Sequence, residues 1–111
     1  MRITKDNINE FIGGTSMDCY SMGITKIEFI PEGIKALFCG GNKLTELPKL
    51  PESLIHLYCS NNQLTSLPKI PEHLMYIDCS GNNLPYEITI ENFKEHNTLL
   101  KRKQILKKIC K

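Results

Sequence analysis

The segment Ile34-Lys35-Ala36-Leu37-Phe38-Cys39-Gly40-Gly41-Asn42-Lys43-Leu44 returns in altered form at residues 54–64 and 74–84, twenty residues apart each time. Four sets of residues keep this interval: Cys19, Cys39, Cys59 and Cys79; Asn42, Asn62 and Asn82; Pro31, Pro51 and Pro71; Leu44, Leu64 and Leu84. A fixed period of about 20–50 residues is typical of repeat proteins, whose short units pack mainly on their neighbours. The 111 residues are therefore predicted to form one domain of stacked units.

Each unit contains a short predicted strand. Alternate side chains of a strand point to opposite faces, so Leu37 and Cys39 are predicted to point inward and Phe38 outward. Stacking the units side by side makes a parallel sheet. The segment that returns from each strand, such as Leu47-Pro48-Lys49-Leu50-Pro51, holds two prolines. Proline fixes φ and lacks an N–H group, so these arms are predicted to be extended or polyproline-like.

The asparagine column marks the point where the chain turns through the interior. Asn42, Asn62 and Asn82 are predicted to point inward and to hydrogen-bond the backbone of their own loop and of the next one. An earlier partial unit aligns through Met17 and Cys19. Its asparagine position holds Met22, so its loop must be built differently.

Residues 14–90 resemble the leucine-rich repeat, L-x-x-L-x-L-x-x-N-x-L, with cysteine at the third leucine position. The short Leu-Pro arm is similar to the twenty-residue class of bacterial type III effectors and of leucine-rich repeat proteins encoded by large DNA viruses of amoebae. This resemblance implies a curved solenoid that binds other proteins through the sheet on its concave face. With three full units and one partial unit, the arc is too short for a deep horseshoe.

Both ends of such a stack need a cover. Residues 1–13 are predicted to form a helical cap, with Thr4 as N-cap of a helix over residues 6–11 that ends at Gly13-Gly14. Residues 90–111 are predicted to form a basic capping helix that Thr89 caps and that runs to about Lys108. Its apolar residues fit one broad helical face: Phe93, Leu99, Leu100, Ile105, Leu106, Ile109 and Cys110.

The outward strand positions provide the candidate partner-binding residues. They are Phe38, Tyr58 and Asp78 in one column, His56 and Tyr76 in a second, and Ile55 and Met75 in a third. A contiguous exposed apolar surface tends to mark an interaction site, and tyrosine is enriched in binding hot spots. Two alternatives remain: strands favour aromatic residues in any case, or a second copy of the chain covers the surface.

The cysteine column is interpreted as a row of small buried side chains. Metal ligands must converge on one point, whereas cysteines one unit apart form a line. We therefore expect no metal, no other cofactor and no disulfide between units. The polar N-terminus does not resemble a secretory signal, and no apolar stretch is long enough to cross a bilayer. We expect reduced thiols and a cytoplasmic location, in a host cytoplasm if the protein is viral or an effector.

Charge is unevenly distributed. Residues 1–90 carry 7 Lys/Arg and 10 Asp/Glu, whereas residues 91–111 carry 7 and 2. The basic stretch holds Lys101-Arg102-Lys103, Lys107 and Lys108 and is either a solvated helix face or a site for nucleic acid or an anionic membrane. Cys110 in this tail is the thiol expected to react or to link chains.

No catalytic constellation is apparent, because His56, His73 and His96 fall in different columns or elements. We therefore expect a non-enzymatic module that binds a protein partner on the sheet face and no small-molecule substrate. The alternatives are a nucleic-acid or membrane binder that acts through the basic helix, and a self-associating scaffold without a ligand. The sequence does not identify the partner.

Overall fold

The computed structural model describes the backbone of residues 1–109 and the side chains of residues 1–104. The elements in chain order are β1 (Arg2–Ile3), a short 3-10 helix (Ile8–Phe11), β2 (Ile12–Gly13), β3 (Ser16–Asp18), β4 (Lys26–Ile27), β5 (Ala36–Phe38), β6 (His56–Tyr58), β7 (Tyr76–Asp78) and α1 (Phe93–Ile109). One sheet has the strand order β2-β3-β5-β6-β7, and β1 pairs with β4 in a second.

The main sheet follows the twenty-residue interval. Strands β3, β5, β6 and β7 are parallel, and their central residues Met17, Leu37, Leu57 and Ile77 lie opposite one another. The predicted parallel sheet is therefore present. The sheet is mixed, however, because β2 runs antiparallel to β3 at its first edge.

The N-terminal segment differs from the helix predicted over residues 6–11. Its helical part is the four-residue 3-10 helix, and Gly13 lies in β2 rather than at a helix end. Gly14, with a φ of 60°, begins the turn between β2 and β3. Strand β1 pairs in parallel with β4, so the chain start is held by backbone hydrogen bonds to the partial unit. A helix of one or two turns is marginal on its own hydrogen bonds, and here Asn7 instead bonds the backbone of Thr4 and Arg2 in a turn.

The core is a column of inward side chains between the sheet and the arms. Met17, Leu37 and Leu57 are fully buried, and the four cysteines at 19, 39, 59 and 79 lie beside them in the same core. The arms at residues 43–55 and 63–75 contain neither helix nor strand, as their prolines predict. Pro51 and Pro71 are themselves buried.

The asparagines join each unit to the unit before it. Asn42 Nδ2 donates to the carbonyl oxygens of Cys19, at 2.9 Å, and Cys39, at 3.0 Å. Its Oδ1 accepts from the N–H groups of Met22 and Ile24. The prediction that each asparagine bonds the next loop was therefore wrong, because each one bonds the preceding loop. The loop of the partial unit has no asparagine of its own, and the side-chain amide of Asn42 satisfies its backbone groups instead.

Asn62 and Asn82 repeat this arrangement. Their Oδ1 atoms accept from Leu44 N, at 3.1 Å, and Leu64 N, at 3.0 Å, each eighteen residues earlier. Arg102 stands one interval after Asn82, so no asparagine follows for the last unit.

A left-handed residue recurs just before this column. Ser21, Gly41, Asn61 and Gly81 have φ values of 51°, 68°, 55° and 68°. A side chain alternates with a glycine because the side chain of one unit lies over the glycine of the next. A Cβ atom at Gly41 would lie 2.5 Å from Ser21 Oγ, and one at Gly81 would overlap the Asn61 amide.

The same type of asparagine turn occurs near each end of the chain, at residues 4–7 and 89–92. Asn7 Oδ1 accepts from Thr4 N, and Asn7 Nδ2 donates to the carbonyl oxygen of Arg2. Asn92 Oδ1 accepts from Thr89 N in the same way, and its Nδ2 donates to the carbonyl oxygen of Glu87. Helix α1 therefore starts at Phe93 rather than at residue 90, and the side chain that organises its start is that of Asn92, not of Thr89.

Helix α1 contacts the arm of the second full unit through polar side chains. His96 is buried, and its Nε2 lies 3.1 Å from the carbonyl oxygens of Leu67 and Pro68. Asn97 donates to the carbonyl oxygen of Ile70 and accepts from its N–H, each at 2.8 Å. An arm without regular structure leaves backbone groups in need of partners, and these side chains supply them.

The apolar face predicted for this helix is therefore only partly correct. Phe93 is buried and Leu100 is half-buried, but Leu99 is 41% exposed. The buried positions follow helical spacing from Phe93 through His96 and Asn97 to Leu100, which places Leu99 outside the contact. Ile105, Leu106, Ile109 and Cys110 lie outside the described side chains.

Candidate functional site

Three aromatic rings stack along the outward face of the main sheet. Phe38 and Tyr58 occupy the same position in β5 and β6, and their ring centroids lie 4.8 Å apart with an interplanar angle of 8°. Tyr76 enters from the neighbouring column, with its centroid 5.0 Å from that of Tyr58. The strand spacing of about 4.8 Å equals the separation of the Phe38 and Tyr58 ring centroids, so the repeat itself sets this contact. We call Phe38, Tyr58 and Tyr76 the aromatic stack.

The remaining predicted partner-binding residues surround the aromatic stack. The His56 ring centroid is 6.4 Å from that of Tyr58. Met75 and Tyr76 are 72% and 47% exposed, whereas Phe38, Tyr58 and Ile55 are half-buried. The rings of Phe38 and Tyr58 cover one another, which leaves Tyr76 and Met75 as the most accessible apolar side chains of the set.

A carboxylate stands at each end of the Phe38–Tyr58 column. Asp18 lies opposite Phe38 in the sheet register, and Asp78 lies opposite Tyr58. Asp78 Oδ1 accepts from the N–H and hydroxyl groups of Ser80. Asp18 Oδ1 accepts from Tyr20 N at 3.1 Å. Neither carboxylate pairs with a basic side chain within residues 1–104.

A second column, absent from the sequence-based candidates, lies beside the aromatic stack. It holds Tyr20, Gly40 and Ser60, which with Asp18, Phe38 and Tyr58 line a cleft of about 320 Å³. Tyr20 is 60% exposed. The twenty-residue interval identifies this column as readily as the others, but the prediction stopped at the cysteines. We call this space the Tyr20 cleft.

The four described thiols are buried, and burial favours their protonated, unreactive form. Burial raises the pKa of Cys19 and of Cys59 to about 12. Asp18 adds a smaller contribution at Cys19, and Cys79 followed by Asp78 add smaller contributions at Cys59. Burial also raises the pKa of Cys39. A thiol that keeps its proton is a poor nucleophile and a poor metal ligand. All four are free, and within the described side chains no three His, Cys, Asp or Glu groups converge.

The other titratable candidates lie apart from the aromatic stack. His73 is exposed and lines a surface pocket with Lys94 and Asn97 of α1. His96 is occupied by contacts with the arm and with Tyr86. Lys101, Arg102 and Lys103 are exposed on α1. Lys107, Lys108 and Cys110 lie outside the side chains that the structure describes.

Comparison with known families agrees with the repeat geometry. Residues 53–74 match the family model described as Leucine Rich Repeat. The match supports a leucine-rich repeat protein. It begins just before β6, spans the arm of that unit and ends at the first core residue of the next. No curated protein matches the chain. No helix within residues 1–109 is long and apolar enough to span a membrane.

Proposed function

We propose that this chain is a non-enzymatic protein-binding module, a short leucine-rich repeat solenoid with helical caps whose concave sheet face contacts a protein partner. The aromatic stack carries this proposal. The inward positions of the strands already fill the core, so the outward rings of Phe38, Tyr58 and Tyr76 are not needed to close it. Tyrosine side chains offer a large contact area at a low cost in conformational entropy and are enriched in binding hot spots.

The family match supports the same function, because leucine-rich repeat domains commonly mediate protein–protein interaction. The flanks of the aromatic stack add polar contacts. His56, Asp18 and Asp78 surround the rings in the way that a polar rim surrounds an apolar interface centre. The buried free thiols fit a reducing compartment, and we propose a cytoplasm as the place of action.

The test is the double variant Tyr58→Ser/Tyr76→Ser, which removes two of the three rings. The matched control is Lys49→Ser/Lys69→Ser, at exposed arm positions that also lie one interval apart. Both variants and the unchanged chain are immobilised, and captured proteins are identified and then titrated in purified form. We expect the tyrosine variant to lose the partner that the lysine variant retains, with similar thermal unfolding of the two.

Capture that is unchanged in the tyrosine variant contradicts the proposal. If that residual capture disappears at high salt, the interaction is electrostatic and the basic face of α1 becomes the binding surface instead.

A further inference from the structure

The two ring faces of Phe38 have different surroundings. One face stacks on Tyr58 at 4.8 Å. On the other side, the neighbouring strand carries Asp18 instead of a ring. Phe38 and Asp18 both line the Tyr20 cleft. Tyr58 is different, because it has Phe38 on one side and Tyr76 on the other.

Gly40 allows Tyr20 to lie along the cleft. A Cβ atom at Gly40 would come within 3.4 Å of Tyr20 Cε2 and within 3.2 Å of Ser60 Oγ. It would also lie 3.1 Å from the Ser60 carbonyl oxygen, so a side chain at position 40 would push on Ser60 and fill space beside the Tyr20 ring. The cleft is therefore bounded by the faces or edges of three rings, those of Tyr20, Phe38 and Tyr58, around a backbone floor.

The charge of the cleft is negative. Asp18 is exposed, and of the side chains at residues 1–104 none forms an ion pair with it. Among residues 1–104, the backbone group that hydrogen-bonds its carboxylate is the Tyr20 N–H, at Oδ1. Residues 1–90 as a whole carry 7 basic and 10 acidic side chains. A ring face beside an unpaired carboxylate, in a body of net negative charge, is complementary to a cation.

From this geometry we propose that the Tyr20 cleft binds an arginine side chain of the protein partner. The guanidinium plane would stack on the open face of Phe38 while its N–H groups bond the Asp18 carboxylate. A planar cation can make both contacts at once, which the compact ammonium group of lysine does less well. The inference rests on the proposed function, since it names the partner group that the sheet face recognises.

The experiment is an NMR titration of the full chain with two blocked tripeptides, Gly-Arg-Gly and its citrulline counterpart. Citrulline keeps the shape of arginine without the charge. We expect the arginine peptide to shift the amide signals of Asp18, Tyr20 and Gly40, with an affinity about fivefold higher than that of citrulline. Asp18→Asn should remove the difference between the peptides. Phe38→Leu should weaken the binding of the arginine peptide.

The matched control is Asp78→Asn, at the same strand position beside Tyr58, whose ring faces are both occupied. This variant should keep the preference for arginine. Equal binding of the two peptides, shifts on another surface, or equal effects of the Asp18 and Asp78 variants would each overturn the cleft assignment. If Tyr58→Ser/Tyr76→Ser still abolishes partner capture while the two peptides bind equally, the cleft assignment alone is wrong. Unchanged capture by that variant instead overturns the proposed function.

Discussion

The Nε2 atom of His96 lies 3.1 Å from the carbonyl oxygen of Leu67, and this contact fastens α1 to the arm of the second full unit. Both Leu67 and Pro68 offer only carbonyl oxygens to the ring, so Nε2 carries a proton. The other ring nitrogen, Nδ1, is 2.6 Å from the hydroxyl of Tyr86. A single buried imidazole therefore joins the helix, the arm and the segment between them.

Replacing His96 with alanine should loosen α1. The change leaves two buried carbonyl oxygens without a donor, and we expect a loss of about 2 kcal/mol in the free energy of unfolding. Urea denaturation monitored by circular dichroism measures it. Leu99→Ala is the control, because Leu99 lies on the exposed side of the same helix and should change stability by less than about 0.5 kcal/mol. Equal effects of the two variants would argue against this docking.

The asparagine column allows a matched comparison between an inner unit and the last unit. Asn62 and Asn82 make the same set of hydrogen bonds, but Asn62 is buried and Asn82 is half-buried. Asn62→Ala should lower the free energy of unfolding by about 3 kcal/mol or more, because buried backbone groups in two units lose their hydrogen-bond partners. Asn82→Ala should cost less, since water can reach its loop. A larger loss for the Asn82 variant in chemical denaturation would refute this ordering.

The alternation of side chain and glycine predicts a coupling between Asn61 and Gly81. Gly81→Ala should destabilise the fold by about 1–2 kcal/mol, because its φ is positive and its new Cβ meets the Asn61 amide. Asn61→Gly should be nearly neutral. In the double variant the cost of the alanine should shrink to its backbone part. Strict additivity in the thermodynamic cycle would show that the two side chains do not meet.

The buried thiols predict a loss of stability at high pH. In the folded chain the pKa of Cys59 is raised from 9.0 to about 12, so folding favours the protonated thiol. This contribution is complete below pH 9 and is lost as the pH rises toward 12. In this pH range the free energy of unfolding should fall by about 1.4 kcal/mol per pH unit for each such thiol.

The variant Cys59→Ala separates the contribution of this thiol to the pH dependence of stability from that of other groups that titrate in the same pH range. The variant is less stable than the unchanged chain at neutral pH because of its cavity. The gap between the two, measured by urea denaturation under reducing conditions, should narrow above pH 9. A gap that stays constant with pH would mean that the thiol is not held protonated by the fold.

The repeat was predictable because its chemistry is local and periodic. Leu37, Leu57 and Ile77 occupy one column at a fixed interval, and strand alternation then assigns Phe38 and Tyr58 to the opposite face. The contacts between the rings follow from the same register. Whether these residues bind a partner stays a prediction.

The ends were harder to predict because their partners are not periodic. The pairing of Arg2–Ile3 with Lys26–Ile27 joins residues 24 positions apart, outside the twenty-residue interval. In α1, a search for an apolar face selected Leu99 and missed His96, because the arm needs hydrogen-bond donors rather than apolar area. The repeated turn at Thr4–Asn7 and Thr89–Asn92 was visible in the sequence, but only to a comparison of the two ends with each other.

The direction of the asparagine bonds also sets an order of events during synthesis. The Leu44 N–H group donates to Asn62 Oδ1, eighteen residues later in the chain. A unit that has left the ribosome therefore waits for the next unit before its own backbone is satisfied, and closure trails elongation by one repeat. The third full unit has no later asparagine to wait for, because Arg102 stands at that position. Its cover is α1, which is the next element to be synthesised.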